Sequence, residues 1–118
     1  MSSRSPITTH VLDTSIGRPA ARVPVTLSRE TDDAKHWEVL AERTTDVDGR
    51  VTDLLAPGSL RPGTYRLWFA TGSYFASAGI EDFFYPWAEI VFTVHDGGQH
   101  YHVPLLLNPF GYSTYRGS

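Results

Sequence analysis

The most regular alternation of apolar and polar positions lies near the end of the chain, where Tyr101, Val103, Leu105 and Leu107 take turns with His100, His102, Pro104 and Leu106. Successive side chains of a strand point to opposite faces, so a strand here sends one apolar row inward and both histidines to the other face. Pro104 and Leu106 share that outer face, and apolar groups beside imidazoles there imply that something covers them. The same period of two sets Val23, Val25 and Leu27 against Pro24, Thr26 and Ser28, and Ala88, Ile90, Phe92 and Val94 against Glu89, Val91, Thr93 and His95. Extended segments are predicted over 7–13, 22–29, 36–45, 50–55, 64–71, 88–95, 100–107 and 110–116, separated by Gly, Pro and Asp clusters. Asp48-Gly49 and Asp96-Gly97-Gly98 supply the positive φ angles that tight hairpins require, so the flanking strands are expected to pair directly, and Pro57-Gly58 and Pro62-Gly63 bracket another turn. Strands at this spacing predict an all-β antiparallel sandwich. One stretch breaks the alternation: Tyr74, Ala78 and Glu81, or Phe75, Ala78 and Asp82, follow a helical spacing and predict one short helix over 73–80.

Length and composition narrow the picture further. At 118 residues the chain is expected to be one domain, so a site must lie on its surface or between copies. The absence of cysteine removes disulfides, thiol nucleophiles and thiolate metal ligands, and leans towards the cytoplasm. The net charge of -3 has no basic run behind it, which argues against nucleic acid as a partner. No apolar run approaches the ~20 residues of a membrane span, and residues 1–10 lack the apolar segment of a secretion signal. A soluble intracellular protein is therefore expected, with residues 1–6, rich in Ser, as a loose end.

Several motifs carry a resemblance. HYHVPLLL at 100–107, followed by NP and by GYSTYRGS at 111–118, resembles the C-terminal signature of the 5-hydroxyisourate hydrolases, the enzymes of the transthyretin-like family. THVLD at 9–13, GRPA at 17–20, DGR at 48–50 and FYP at 84–86 continue the match in the family's order, so it spans nearly the whole chain. The resemblance implies a transthyretin-like sandwich of two four-stranded sheets with one helix between the fifth and sixth strands. It also implies metal-independent, cofactor-free ring opening of 5-hydroxyisourate to 2-oxo-4-hydroxy-4-carboxy-5-ureidoimidazoline in urate catabolism. Its assembly would be a homotetramer, a dimer of dimers with the sites at the dimer-dimer interface. By motif, His10, Arg50, His102 and the tetrapeptide 115–118 match the positions that the family assigns to its site. Ser118 is accordingly expected among the catalytic residues, close to His102, with Gly117 letting the backbone fold back and a terminal carboxylate nearby. Tyr115 and Arg116 are expected to hold the substrate. Asn108, where the family usually has serine before the proline, and the proline-rich stretch 57–63 depart from the pattern away from these positions.

The residue types suit that chemistry on independent grounds. Opening the ring requires water to attack a carbonyl carbon next to nitrogen, and an imidazole with an ordinary pKa near ~6.5 is matched to taking the proton at neutral pH and passing it to the leaving nitrogen. By alternation His10 faces outward with Thr8 and Leu12, opposite Ile7, Thr9 and Val11, so it joins His102 as a coupled pair; either can be the base. Arg50 and Arg116 offer planar charged forks for the carbonyl and imide edges of an oxidised purine and for a developing oxyanion.

Competing readings are specific. His100 and His102 form an HxH, a spacing also used for metal ligands, but a zinc site needs a third ligand, and neither cysteine nor HExxH is present. His36 and His95 are expected as surface residues. Most of Trp37, Trp68, Trp87, Phe69 and Phe92 are expected in the core. A hormone-carrier module would share the sandwich and a channel at the same interface. The resemblance implies that the carrier branch lacks the set His10, Arg50, His102 and YRGS, and an adhesion sandwich would have no use for histidines beside an arginine on an outward face.

Overall fold

The computed structural model describes residues 4–118, which form two packed sheets and one helix. The strands are β1 (Ile7–Asp13), β2 (Arg18–Pro19), β3 (Pro24–Glu30), β4 (Trp37–Thr44), β5 (Arg50–Val51), β6 (Gly63–Phe69), β7 (Ala88–Val94), β8 (Tyr101–Asn108) and β9 (Gly111–Thr114), with helix α1 (Thr71–Ser77) between β6 and β7. One sheet runs β4-β3-β6-β7. The other runs β2-β1-β8-β9, with β5 also paired to β1. The second sheet thus holds five strands rather than four, because the two-residue β2 and β5 divide one edge of β1 between them. The sandwich is antiparallel apart from one pair: β1 and β8 run parallel, with Ile7 opposite Tyr101 and Asp13 opposite Leu107. That pair joins segments far apart in the chain, where no hairpin dictates direction. The hairpins expected at Asp48-Gly49 and Asp96-Gly97-Gly98 do not form: β5 pairs with β1 rather than with β4, and β7 and β8 lie in different sheets, so both turns carry the chain across the sandwich.

The predicted inward rows make the core. Ile7, Thr9 and Val11 of β1, Val23, Val25 and Leu27 around β3, and Tyr101, Val103, Leu105 and Leu107 of β8 are all buried. Thr9 satisfies its buried hydroxyl by donating to the Val103 carbonyl at 2.6 Å, which ties β1 to β8 through the core. The helix begins two residues earlier than expected and buries Phe75, while Tyr74 donates to Asp13 Oδ2 at 2.7 Å and pins it to the end of β1. The tryptophans are not core residues: Trp37 and Trp68 are half-buried and Trp87 is exposed, with Arg66 stacked on Trp37 at 4.5 Å and Trp68 against Trp87. Trp68 alternates with the buried Leu67 and Phe69 of β6 and so lies on the outer face of its sheet. Nor does the loose end expected over residues 1–6 reach Ser5 and Pro6, which are buried; Ser5 Oγ donates to the Ile7 carbonyl at 2.6 Å and accepts from Leu55 N–H at 3.1 Å. Residues 1–3 lie outside the described part. No helix among the described residues is long and apolar enough to cross a membrane.

Candidate active site

The outward face of β1 and β8 carries the histidines, and the parallel register decides their neighbours. Thr8 lies opposite His102, and His10 opposite Pro104 on one side and Arg50 on the other. A single hydroxyl therefore stands between two imidazoles. Thr8 Oγ1 is 2.8 Å from His102 Nδ1 and 3.1 Å from His100 Nε2, and the two rings are nearly parallel at 12° with centroids 6.4 Å apart. His102 keeps Nε2 for other work. A cavity of about 220 Å³ opens beside these groups. His100, His102 and Thr8 line it together with Arg50 and Ser118, and Arg4, Thr9 and Thr52 complete the wall.

Two glycines bring flanking segments onto this face. Gly49 has φ +76°, and a side chain there would collide with the Val11 carbonyl, so the 46–49 turn can press against β1 only as glycine. Asp46 Oδ1 accepts from the backbone N–H groups of both Asp48 and Arg50 at 2.9 Å, which fixes the turn that presents Arg50. The same turn places the Asp48 carbonyl 2.8 Å from His10 Nε2; a carbonyl only accepts, so Nε2 carries the proton and Nδ1 is the basic atom of the neutral ring. Gly117 donates its N–H to the His102 carbonyl at 2.8 Å and lies so close that a Cβ would stand 2.6 Å from His102 Cδ2 and 3.3 Å from Pro104 Cγ. Its role is close approach rather than the freedom to turn. The same segment covers Pro104, which is buried within its own chain, so the cover expected on this face is partly the chain's own residues 115–118.

The electrostatics favour neutral imidazoles. Burial, followed by the positive charges of His100, Arg50, His10 and Arg4, holds His102 below the ordinary imidazole pKa. Burial and the charges of Arg4 and Arg116 do the same for His100. Among the described residues no three His, Asp or Glu side chains converge as a metal site requires.

Of the residues expected from sequence, Arg50, His102 and Ser118 line one cavity, and His10 stands beside it, paired to Arg50 and felt by His102. Tyr115 and Arg116 do not join them. Arg116 stacks on the Tyr101 ring at 4.4 Å and donates to Gln99 Oε1 at 2.9 Å and to the His100 carbonyl at 3.3 Å. Both line a different opening of about 480 Å³ between the sheets, at the β7 and β9 edges, where His95 also lies. His36 is exposed beside Asp33. Sequence reasoning missed Thr8 and Arg4 as site residues. Alternation already set Thr8 on the face of His10, but only the pairing of β1 with β8 aims it at His102.

The HIUase/Transthyretin family profile matches residues 7–117. The chain belongs to this family. It is 48% identical over 114 residues to the mouse 5-hydroxyisourate hydrolase, covering 97% of this chain and 96% of that protein. It is 46% identical over 122 residues to 5-hydroxyisourate hydrolase 2 of Rhizobium meliloti, covering both chains fully. Among solved structures, the 5-hydroxyisourate hydrolase of Klebsiella pneumoniae superposes with a TM-score of 0.83 at 41% identity, covering 99% of this chain and 100% of that one. Sea bream transthyretin in complex with thyroxine superposes with a TM-score of 0.89 at 34% identity, covering 96% of this chain and 95% of that one.

Proposed function

We propose that this chain is a 5-hydroxyisourate hydrolase that opens the ring of its substrate to 2-oxo-4-hydroxy-4-carboxy-5-ureidoimidazoline in urate catabolism. Backbone similarity does not separate it from the carrier branch, since the carrier superposes at least as well and function resides in the site. The observation that carries the reading is the convergence of His102, Arg50 and Ser118 on one small cavity with His10 beside it.

In the proposed reaction a water bound near His102 Nε2 loses a proton to that atom as its oxygen bonds to the ring carbonyl carbon. The Arg50 guanidinium faces the oxyanion that forms, where a preorganised charge acts strongly because the site is partly desolvated. The oxyanion then re-forms the carbonyl as the carbon–nitrogen bond breaks, the leaving nitrogen takes the proton back from His102, and the carboxylic acid so formed releases its remaining proton to solvent to become the carboxylate. His10, held through Nε2 on the Asp48 carbonyl and paired to Arg50, is assigned to orienting the substrate or water. Ser118 contributes its hydroxyl at the cavity wall. Tyr115 and Arg116 are assigned to substrate binding only through assembly, since in one chain they face the inter-sheet opening.

Assembly is the second part of the reading. The cavity of about 220 Å³ is smaller than the ~300–1,000 Å³ typical of ligand sites, so a second copy facing it would complete the walls. Exposed Ile16 and Phe110 lie on neighbouring turns at the far end of the same sheet, and half-buried Leu106 lies between. β7 and β9 are free sheet edges flanking the inter-sheet opening, which suits pairing with their counterparts in another copy. Two such contacts generate a homotetramer, a dimer of dimers, with sites at the dimer-dimer interface. The absence of cysteine supports a cytoplasmic location.

The test is direct: 5-hydroxyisourate, generated by urate oxidation, is followed by its absorbance with and without the protein. Accelerated decay supports the hydrolase. Decay at the spontaneous rate, with thyroxine bound instead, supports the carrier.

A further inference from the structure

Thr8 has one hydroxyl proton and sits within hydrogen-bond distance of two imidazole nitrogens that belong to different residues. Each neutral imidazole has one N–H and one lone pair. Two complete arrangements follow. In one, Thr8 donates to His100 Nε2 and accepts from His102 Nδ1–H, which leaves the lone pair of His102 on Nε2. In the other, Thr8 donates to His102 Nδ1 and accepts from His100 Nε2–H, which puts a proton on His102 Nε2. The Thr8 hydroxyl thus couples the tautomers of both rings, and it is held in place because Thr8 is buried.

The surroundings choose between the two. Arg50 and Arg4 line the same cavity as His102, and the positive charge of each disfavours a further proton on the His102 ring. A lone pair facing guanidinium groups is favoured over an N–H bond facing them. The first arrangement is also the one that leaves a basic atom in the cavity.

We infer that Thr8 is a positioning residue that, anchored by His100, fixes His102 as the Nδ1–H tautomer and so makes Nε2 the atom that takes the proton from water. His100 then has a purpose that its position outside the family-matched set did not suggest: it accepts the Thr8 hydroxyl proton and so turns the Thr8 lone pair towards His102. The orientation is a second-layer effect of the kind that orients imidazoles elsewhere, where the bond made by one ring nitrogen decides what the other can do. The rate consequence rests on the hydrolase reading; the tautomer assignment does not.

The experiment uses the full chain with 15N-labelled histidine and compares the wild type with Thr8→Val, which keeps the shape without the hydroxyl, and Thr8→Ser, which restores it. Imidazole 15N–1H spectra at neutral pH, with His102→Asn and His100→Asn used to assign the rings, report which nitrogen carries hydrogen. The expected result is Nδ1–H at His102 in the wild type and in Thr8→Ser, and a mixture or Nε2–H in Thr8→Val. In the hydrolysis assay, Thr8→Val should lower kcat by about 10- to 100-fold with KM changed by less than about twofold, and Thr8→Ser should recover most of the loss. A wild-type His102 carrying its proton on Nε2, or a folded Thr8→Val with an unchanged tautomer, overturns the inference. So does a Thr8→Ser variant as impaired as Thr8→Val. If the wild type does not hydrolyse 5-hydroxyisourate, the functional reading fails while the spectra still decide the role of Thr8.

Discussion

His102 and His100 share one hydroxyl but differ in what they turn towards the solvent, and their variants should differ accordingly. His102→Asn is expected to lower kcat/KM by about 100-fold or more, since a positioned base contributes on the order of 100- to 10,000-fold. His100→Asn removes only the acceptor for Thr8 and should cost less than a tenth as much; equal losses restored by added zinc would point to a metal site instead. The pH dependence follows from the lowered pKa of His102. A base works unprotonated, so kcat/KM should rise with pH along an acid limb whose midpoint lies below the ordinary imidazole value of ~6.5. Arg50→Gln removes one of the cations that depress it, and the limb of the residual activity should move up in pH. Arg50→Lys keeps the charge but not the fork, and should lower kcat/KM while leaving the limb where it is; an unchanged kcat/KM would reduce Arg50 to an edge charge.

At the scale of elements, the segment 115–118 is a clamp laid on β8 rather than a free end. Gly117 Cα lies against the His102 ring and Pro104, where an alanine Cβ would stand 2.6 Å from a ring carbon. Gly117→Ala must therefore displace either the segment or the imidazole, and a displacement near 1 Å at a reacting group costs ~100-fold. The expected outcome is a loss of about 10- to 100-fold in kcat/KM with a thermal midpoint close to that of the wild type, because residues 115–118 contribute no side chain to the buried core. Deletion of residues 116–118 should nearly abolish activity with an equally small change in melting. A truncation that unfolds the domain would instead make the segment structural. The 46–50 turn obeys the same logic: Asp46 holds the backbone, Gly49 allows contact with β1, and Arg50 and the Asp48 carbonyl are delivered together to His10.

For the whole molecule, acid should weaken the fold. His100 and His102 both have folded pKa values below the ordinary imidazole range, so between the folded and unfolded values the unfolded chain binds more protons. Unfolding free energy therefore rises with pH through that window. The contribution is complete above about pH 6.5 and is lost as pH falls through the folded values. Denaturant midpoints measured from pH 7 down to 5 should fall, and the fall should be smaller in a His100→Asn, His102→Asn double variant. Assembly is checked by light scattering at micromolar concentration: a tetramer is expected, and a fully active monomer would sink the shared-site reading. An Ile16→Glu, Phe110→Glu variant should dissociate into dimers and lose activity together.

The sequence by itself determined the sandwich, the inward rows of β1, β3 and β8 and the helix, and it singled out Arg50, His102 and Ser118, which line one cavity. Those features are local: a period of two declares which face is buried, turn residues mark where strands end, and motif positions carry the chemistry. Only the tertiary structure decided what each side chain meets. The parallel pairing of β1 with β8 sets Thr8 beside a histidine 94 residues away, and no window of sequence encodes the direction or register of strands so far apart. The same holds for Arg116, whose fork suits a substrate but which the fold turns onto Tyr101 and Gln99. Burial and pairing between distant segments are properties of the packed chain, and the choice of which nitrogen of His102 stays free depends on both.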